Sequence, residues 1–279
     1  MLRKLREKNV WIYAIITLAI FKLGQEISDV PLEFLYEKGM FPTDESAQLF
    51  FGQFVADLIV TLLMLILLWR TRKLGLLKKK DIRFFKGLKV AAYPIGFSIV
   101  VFVFVLFAAH TENLKVNSIG NILIYVLCML FVGLSEELCS RTIIAQSLLE
   151  HCGTNKNGIW KAAILSGFLF GCLHLFNLEV ANPLGVIVQC IVAGAAGVTY
   201  AAIYFRTGNI WILVFIHTLN DLATGAMHGF FNSGNILDSM STESGGSPLF
   251  GLIMAIPEVI TFIYLLRNEK IDEIKKVWK

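Results

Sequence analysis

Charged, histidine and amide side chains lie inside stretches of this sequence that are otherwise apolar. The set comprises Glu136, Glu137, Arg141, His174, His217, Asn220 and Asp221. A charged side chain at membrane depth costs roughly 3 kcal/mol on insertion scales, so such residues usually face a bundle interior or a wet cavity. Their types and positions therefore indicate chemistry rather than packing.

The two adjacent glutamates point in different directions if their segment is helical. Glu137 and Arg141 are four residues apart, which allows an ion pair on one face of the helix. Glu136 points about 100° away, because an α-helix has 3.6 residues per turn. One carboxylate is thus predicted to be neutralised by the arginine, and the other is free for chemistry.

Positions along the predicted helices place the polar groups at one depth. At a rise of about 1.5 Å per residue, Glu136 and His174 lie roughly 20 Å from the ends of their helices on one side of the membrane. His217 and Asp221 lie about 12 and 18 Å into theirs, and they share a face because they are one turn apart. Four polar groups on three helices therefore reach a similar level.

Such a set supports the activation of water. A carboxylate in a partly desolvated cavity can act as a general base, one histidine can share its proton, and a second can stabilise an oxyanion. The same side chains Glu136, His174 and His217 could instead hold zinc as a His₂Glu site with one position open for water. Spacing alone does not separate these alternatives.

Composition excludes a soluble domain. The 279 residues are 56% hydrophobic and 16% charged, with a mean hydropathy of +0.67, values that are typical of a polytopic membrane protein. We therefore predict an all-α bundle of about eight transmembrane helices in a single domain, residues 1–279. The predicted spans lie near residues 9–27, 50–69, 88–109, 119–149, 159–177, 183–205, 209–227 and 247–266.

Lysine and arginine in the short loops predict the orientation of this bundle. The segment Arg70–Lys89 and both terminal segments are basic, whereas the alternate loops are acidic or neutral. Basic loops remain on the cytoplasmic side, so both termini are predicted to be cytoplasmic. The net charge of +4 then reflects topology rather than nucleic-acid binding.

Three further ionisable residues lie within the predicted spans. Asp57 and Lys22 fall near span ends, where pairing or snorkelling suffices. Glu258 follows Pro257 near the middle of the last span and is a lesser candidate for a functional role. Small residues spaced four apart, from Ala193 to Ala201, predict close packing of the sixth span against another helix.

Three motifs occur in order on separate predicted helices: Glu136-Glu137-x-x-x-Arg141, Phe170-x-x-x-His174 and His217-x-x-Asn220-Asp221. This order resembles the CAAX prenyl endopeptidase and bacteriocin-processing (CPBP, or ABI) family of intramembrane proteases. The segment Thr207–Trp211 before the third motif is similar to the usual lead-in of that family. The resemblance covers residues 119–222, which would form the protease core.

The resemblance implies a role for each residue. Glu136 would activate water, and His174 would assist it. His217 and Asp221 would line the oxyanion side of the site. Glu137 and Arg141 would brace the site. Asp221 stands where eukaryotic members have asparagine, and an ionised aspartate cannot donate a hydrogen bond to an oxyanion. Asp221 is then either protonated or an orienting anion, with Asn220 as an alternative donor.

The implied substrate is a membrane-associated or prenylated peptide or protein, and the site would use either no cofactor or a divalent metal such as zinc. The absence of long loops favours a bacterial plasma membrane over the endoplasmic reticulum. Besides the bilayer, no nucleic-acid partner is expected. Two other interpretations remain: a non-catalytic bacteriocin immunity or regulatory protein, and a proton-coupled transporter. A transporter predicts a polar path across the whole bundle, whereas these polar groups occupy one level.

Overall fold

The computed structural model describes residues 2–79, 82–179, 182–233 and 248–278, and this part of the chain forms a bundle of helices. The predicted all-α polytopic fold is confirmed. In chain order the α-helices are α1 (Leu2–Lys8), α2 (Val10–Ile27), α3 (Asp29–Glu37), α4 (Glu45–Arg70), α5 (Phe84–Leu88), α6 (Ala92–Thr111), α7 (Ile119–Glu137), α8 (Gln146–Cys152), α9 (Lys156–Leu173), α10 (Pro183–Thr207), α11 (Ile210–Thr224), α12 (Ala226–Gly229), α13 (Pro248–Leu265) and α14 (Asn268–Val277).

The apolar helices correspond one to one with the predicted spans. Six helical segments are long and apolar enough to cross a membrane; they contain α2 with α3, α4, α6, α7 with α8, α9 and α10. Two shorter apolar helices, α11 and α13, occupy the seventh and eighth predicted positions. The predicted loop between the first two spans, residues 26–46, differs from expectation because it contains helix α3.

Polar caps define where most of these helices begin. Backbone N–H groups of the first turn have no partner within a helix, and a side-chain oxygen at the N-cap accepts one of them. The capping residues are Asn9 for α2, Asp44 for α4, Ser118 for α7, Asn155 for α9, Asn182 for α10 and Asn209 for α11. Each cap lies at the start of an apolar segment.

The fourth span is not a uniform α-helix. Residues Leu138–Ala145 form a π-helical segment between α7 and α8. Such segments are rare, and they frequently occur at functional sites because they change the direction in which side chains point. Here the segment begins immediately after Glu137 and is buried throughout.

One end of the bundle, which we call the basic face, carries most of the positive charge. It contains α1, the connection between α4 and α6, the α8–α9 and α10–α11 connections, and α14. Ion pairs join these segments: Arg6 and Lys73 both contact Glu150, and Arg206 contacts Glu273 at 3.0 Å. The two ends of the chain therefore lie on one side of the bundle, as an even number of spans requires.

Helices α9 and α10 pack with their backbones in contact. A Cβ atom added to Gly171 would lie 2.4 Å from the carbonyl oxygen of Cys190, and one added to Gly197 would lie 2.9 Å from Cα of Gly167. Small residues allow this approach, in agreement with the close packing predicted from the sixth span. The contact fixes α9 just before His174.

Candidate active site

The last turn of α7 presents its two glutamates to different surroundings. The side chain of Glu137 is completely buried, whereas that of Glu136 is 19% exposed. Glu136 lines a cavity, and Glu137 faces the interior of the bundle. Two neighbouring carboxylates therefore occupy chemically different sites, as their helical positions predict.

Arg141 lies beside Glu137 in the π-helical segment. Its Nε atom is 3.2 Å from Oε2 of Glu137, and both side chains are completely buried. The guanidinium carbon also lies 4.4 Å from the ring centroid of Phe170 and 5.4 Å from that of Tyr200. Aromatic faces attract a cation within about 6 Å, so the two rings and one carboxylate together stabilise this buried charge.

His217 on α11 is the centre of the site. Its Nδ1 atom is 2.8 Å from Oε1 of Glu137. Its Nε2 atom is 3.5 Å from Oε2 of Glu136 and 3.6 Å from Oδ2 of Asp221. Three carboxylates thus surround one imidazole ring, and we call Glu136, Glu137, Asp221 and His217 the carboxylate cluster.

The lead-in to α11 positions His217. Gly208 adopts a left-handed conformation with φ of 58° and ends α10, and Asn209 then accepts the N–H of Trp211 to begin α11. Farther along, a Cβ atom at Gly133 would lie 2.8 Å from the hydroxyl oxygen of Thr218. Helices α7 and α11 therefore approach closely where the glutamates meet the histidine.

His174 occupies a different position from the one expected for a residue that assists Glu136. It follows the last residue of α9 and begins a 3₁₀ segment, His174–Glu179. Its Nδ1 atom lies 3.2 Å from the carbonyl oxygen of Phe170, and its side chain lines the same cavity as Glu136. The histidine in contact with Glu136 is His217.

Asp221 and Asn220 differ in access to the cavity. Asp221 lines it and faces His217, and Asn220 is not among the lining residues. Among the described residues, no donor lies within hydrogen-bond distance of Oδ2 of Asp221. Its nearest charged partner is Nε2 of His217, at 3.6 Å. The geometry therefore pairs Asp221 with His217.

Asp57 is a buried carboxylate next to the cluster, and sequence reasoning placed it wrongly near a span end. Helix α4 begins at Glu45, so Asp57 lies at its middle and is completely buried. The Ser135 hydroxyl donates to its Oδ1 at 2.6 Å, and the Gln53 amide donates to its Oδ2 at 2.5 Å. Because Ser135 immediately precedes Glu136, this network connects α4 to the glutamates.

The other two ionisable residues within spans lie outside this cluster. Lys22 pairs with Glu26 at 2.7 Å at the rim of the cavity. Glu258 is buried against α10, where the Thr199 hydroxyl donates to its backbone carbonyl at 3.2 Å. Glu258 does not line the cavity.

The cluster borders a cavity of about 850 Å³. Glu136, His174, His217 and Asp221 line it, together with residues of α2 and α4 and the segment after α9. Gln53 also lines it, which connects the Asp57 network to the same space. A large cavity with convergent polar groups is the usual form of an active site.

The described side chains are not arranged as the His₂Glu zinc alternative would require. No three histidine, cysteine, aspartate or glutamate residues in the described part of the chain are arranged to hold a metal ion. We therefore derive no step through a metal.

Residues 94–223 match the family model of the type II CAAX prenyl endopeptidase, Rce1-like. The predicted family resemblance is confirmed. The match extends from α6 to the end of α11, so it includes the whole carboxylate cluster, Arg141 and His174. No curated protein and no solved structure matches this chain.

Together, the family match and the six long apolar helices indicate an integral membrane protein, and the family that matches is one of membrane proteases. The domain limits predicted from the sequence, with a protease core at residues 119–222, remain a prediction. So do the roles of the individual residues.

Proposed function

We propose that this protein is an intramembrane endopeptidase that hydrolyses a peptide bond with water activated by Glu136. Its substrate is a membrane-associated or lipid-modified peptide or protein. The observation that carries this proposal is the carboxylate cluster, in which one partly exposed glutamate faces a cavity while a second, buried glutamate is paired.

Glu136 is the general base of this proposal. Its carboxylate takes a proton from a water molecule as the water oxygen attacks the carbonyl carbon of the substrate. When the C–N bond breaks, the same carboxylic acid returns the proton to the leaving nitrogen. A carboxylate that cycles in this way must reach the cavity, as Glu136 does.

His217 stabilises the negative charge that develops on the substrate in this mechanism. Its Nδ1–H donates to Glu137, which leaves Nε2 directed toward Glu136 and Asp221. Protonated at Nε2, the ring stabilises a developing oxyanion, and preorganised donors of this kind typically contribute 10²- to 10³-fold in rate. Asp221 and Glu137 then act as anions that orient the ring.

Glu137 and Arg141 provide support. Arg141 balances the charge of the buried glutamate, and the Phe170 and Tyr200 rings hold the guanidinium in place. His174, on the wall of the cavity, is available for contact with bound substrate. Asn220 does not line the cavity, so it has no part in this mechanism.

The decisive experiment is quantitative proteomics of membrane peptides from cells that produce either wild-type protein or Glu136→Gln. The amide keeps the shape of the side chain but cannot accept the proton, so cleavage products present with wild type should be lost. Glu33→Gln on the exposed surface of α3 is the matched control and should leave the products unchanged.

Identical peptides from wild type and Glu136→Gln, at equal protein levels, would end the protease proposal. Once a product has been identified, the same cleavage is measured after treatment with a metal chelator. Undiminished turnover supports water activation by the glutamate, and loss of turnover that is restored by zinc supports the metal-dependent alternative.

A further inference from the structure

Another cavity, of about 620 Å³, lies at the basic face, and we call it the arginine pocket. It is lined by Trp69 and Arg70 at the end of α4, by Arg72 and Leu74 just after that helix, and by Leu2 of α1. At a rise of 1.5 Å per residue, Trp69 is about 18 Å along α4 from Asp57, the carboxylate next to the cluster. The arginine pocket is therefore separate from the candidate active site.

The lining of this pocket carries positive charge and no acidic residue. Arg70 and Arg72 are both exposed, and neither contacts a carboxylate in the part of the chain that the structure describes. The carboxylates described on the basic face already pair with other cations; they are Glu7, Glu150, Glu269, Asp272 and Glu273. The two arginines thus present uncompensated charge to the pocket.

The other wall of the pocket is apolar and lies at the end of a membrane span. Helix α4 is long and apolar enough to cross a membrane, and Trp69 is 62% exposed in its last turn. Tryptophan at such a position typically lies at the level of the lipid headgroups. The guanidinium carbon of Arg70 is 5.9 Å from the centroid of this ring, so cationic and apolar surfaces meet within one pocket.

The backbone at Arg72 is an independent sign of function. Arg72 has a φ of 59°. Its N–H donates to the carbonyl oxygen of Trp69 at 3.0 Å, and the N–H of Lys73 donates to that of Leu68 at 2.8 Å. These two bonds form a Schellman motif, in which the left-handed position is usually occupied by glycine.

The turn itself does not explain the arginine. A side chain at positive φ is unfavourable, because its Cβ lies too close to a carbonyl oxygen, and glycine would form the same turn without this cost. Backbone strain of this kind is concentrated at ligand sites. Among the described residues other than glycine, Asn113 also has a positive φ, of 52°, but asparagine adopts this conformation more readily.

We propose that the arginine pocket binds the headgroup of an anionic phospholipid from the surrounding bilayer. The guanidinium groups of Arg70 and Arg72 hold the phosphate, because their planar N–H donors match two phosphate oxygens. The apolar surfaces of Trp69, Leu2 and Leu74 contact the glycerol and the first methylene groups of the acyl chains. Basic residues beside a span also influence its orientation, but that effect requires neither a pocket nor a strained backbone.

Native mass spectrometry of the detergent-solubilised full chain measures this binding without a protease assay. The protein is titrated with phosphatidylglycerol or with zwitterionic phosphatidylcholine that has the same acyl chains. Wild type should bind one phosphatidylglycerol more tightly than any further copy and more tightly than phosphatidylcholine. The double variant Arg70→Gln, Arg72→Gly should bind it roughly 25-fold more weakly, since each basic residue near anionic lipid contributes about fivefold.

Arg72→Gly alone separates binding from folding. Without added lipid it should melt above wild type, because glycine relieves the strain, yet it should bind phosphatidylglycerol about fivefold more weakly. Asn113→Gly is the matched control, since Asn113 occupies the same position of a Schellman motif after α6. Its lipid affinity should equal that of wild type. Lys156→Gln removes one exposed charge of the basic face outside the pocket and should also leave the affinity unchanged.

Four results would overturn the inference. The first is equal affinity of wild type and the double variant for phosphatidylglycerol, and the second is equal binding of phosphatidylcholine. An equal loss in Lys156→Gln would indicate diffuse attraction by the whole basic face. Displacement of the lipid by an equal concentration of inorganic phosphate would indicate a site for soluble anions. If Arg72→Gly melts below wild type, the turn itself requires the arginine, and the argument from strain fails with it.

Discussion

The position of His217 changes the chemistry expected of its neighbours. Sequence spacing predicts that His217 and Asp221 share a face, and the structure adds that the same ring contacts Glu136 and Glu137 on another helix. Contact between helices depends on their rotation about their own axes, which residue spacing within one helix does not encode. The partner of Glu136 was therefore not predictable from the sequence.

Arg141 should contribute to stability as well as to activity. Removing one partner of a buried ion pair typically costs about 3–5 kcal/mol, because the other charge is left uncompensated. Arg141→Ala should therefore lower the melting temperature of the detergent-solubilised protein and reduce the amount of folded protein. Arg141→Lys should be intermediate, since lysine keeps the charge but loses the planar group between two rings.

The pair Arg3–Glu7 is the matched control for Arg141. It has the same spacing of four residues and an Nε–Oε1 distance of 3.0 Å, but both side chains are about half exposed. Exposed pairs are worth roughly 0–1 kcal/mol, so Arg3→Ala should melt close to wild type. Equal melting of Arg141→Ala and Arg3→Ala would mean that the buried pair is not structural.

Asp57 should position Glu136 through Ser135. Asp57→Ala leaves two donors without an acceptor, and each such loss costs about 1–3 kcal/mol. We expect lower stability and a lower kcat at nearly unchanged KM on the substrate identified by proteomics, with Asp57→Asn recovering part of both. Asparagine can still accept from the Ser135 hydroxyl.

Thr61→Ala is the control for Asp57, since Thr61 lies one turn farther along α4, is buried, and has a hydroxyl oxygen without a hydrogen-bond partner in the described structure. It should retain wild-type turnover. If Asp57→Ala is destabilised but keeps full kcat, the network supports the fold alone.

At the scale of elements, the apolar spans were predictable because lipid and buried helices both require long apolar segments. Three local features could not be predicted from the sequence: the π-helical segment after Glu137, helix α3, and the 3₁₀ segment that begins at His174. Each depends on packing against other helices. The mistaken position of Asp57 has a simpler cause, because the polar first turn of α4 after Asp44 hides the true start of the helix.

The contact between α9 and α10 should be sensitive to one added methyl group at Gly171. Its Cβ would lie 2.4 Å from a backbone oxygen, whereas a Cβ at Gly194 has its nearest neighbour at 3.5 Å. Overpacking costs typically about 1–3 kcal/mol, so Gly171→Ala should melt lower than wild type. It should also reduce turnover, since His174 follows three residues later.

Gly194→Ala is the paired control and should melt within experimental error of wild type. Both glycines lie in the same helix–helix contact, so the comparison separates a steric effect from a change in helix propensity. A loss of stability in Gly194→Ala as large as that in Gly171→Ala would contradict the close approach at Gly171.

At the scale of the whole molecule, the basic connections and the cavity occupy opposite ends of the bundle. The basic connections that predict orientation from the sequence lie together at one end of the bundle, and ion pairs join them through Glu150 and Glu273. The residues of α2, α4, α7 and α11 that line the cavity lie toward the other end. The sequence predicts the first of these facts through loop composition, but the direction of the cavity follows only from how the helices tilt and pack.

The basic connection between α4 and α6 should determine the orientation of the full chain. A tandem alkaline phosphatase and green fluorescent protein reporter fused after Lys279 should be fluorescent and lack phosphatase activity, because the C-terminus is predicted to be cytoplasmic. Replacing Lys78, Lys79, Arg83 and Lys86 by glutamine removes much of the charge bias, and phosphatase activity should then appear in part of the population.

Replacing the exposed Lys38 and Lys115 on the opposite face should have no such effect. Phosphatase activity in the wild-type fusion would reverse the predicted orientation.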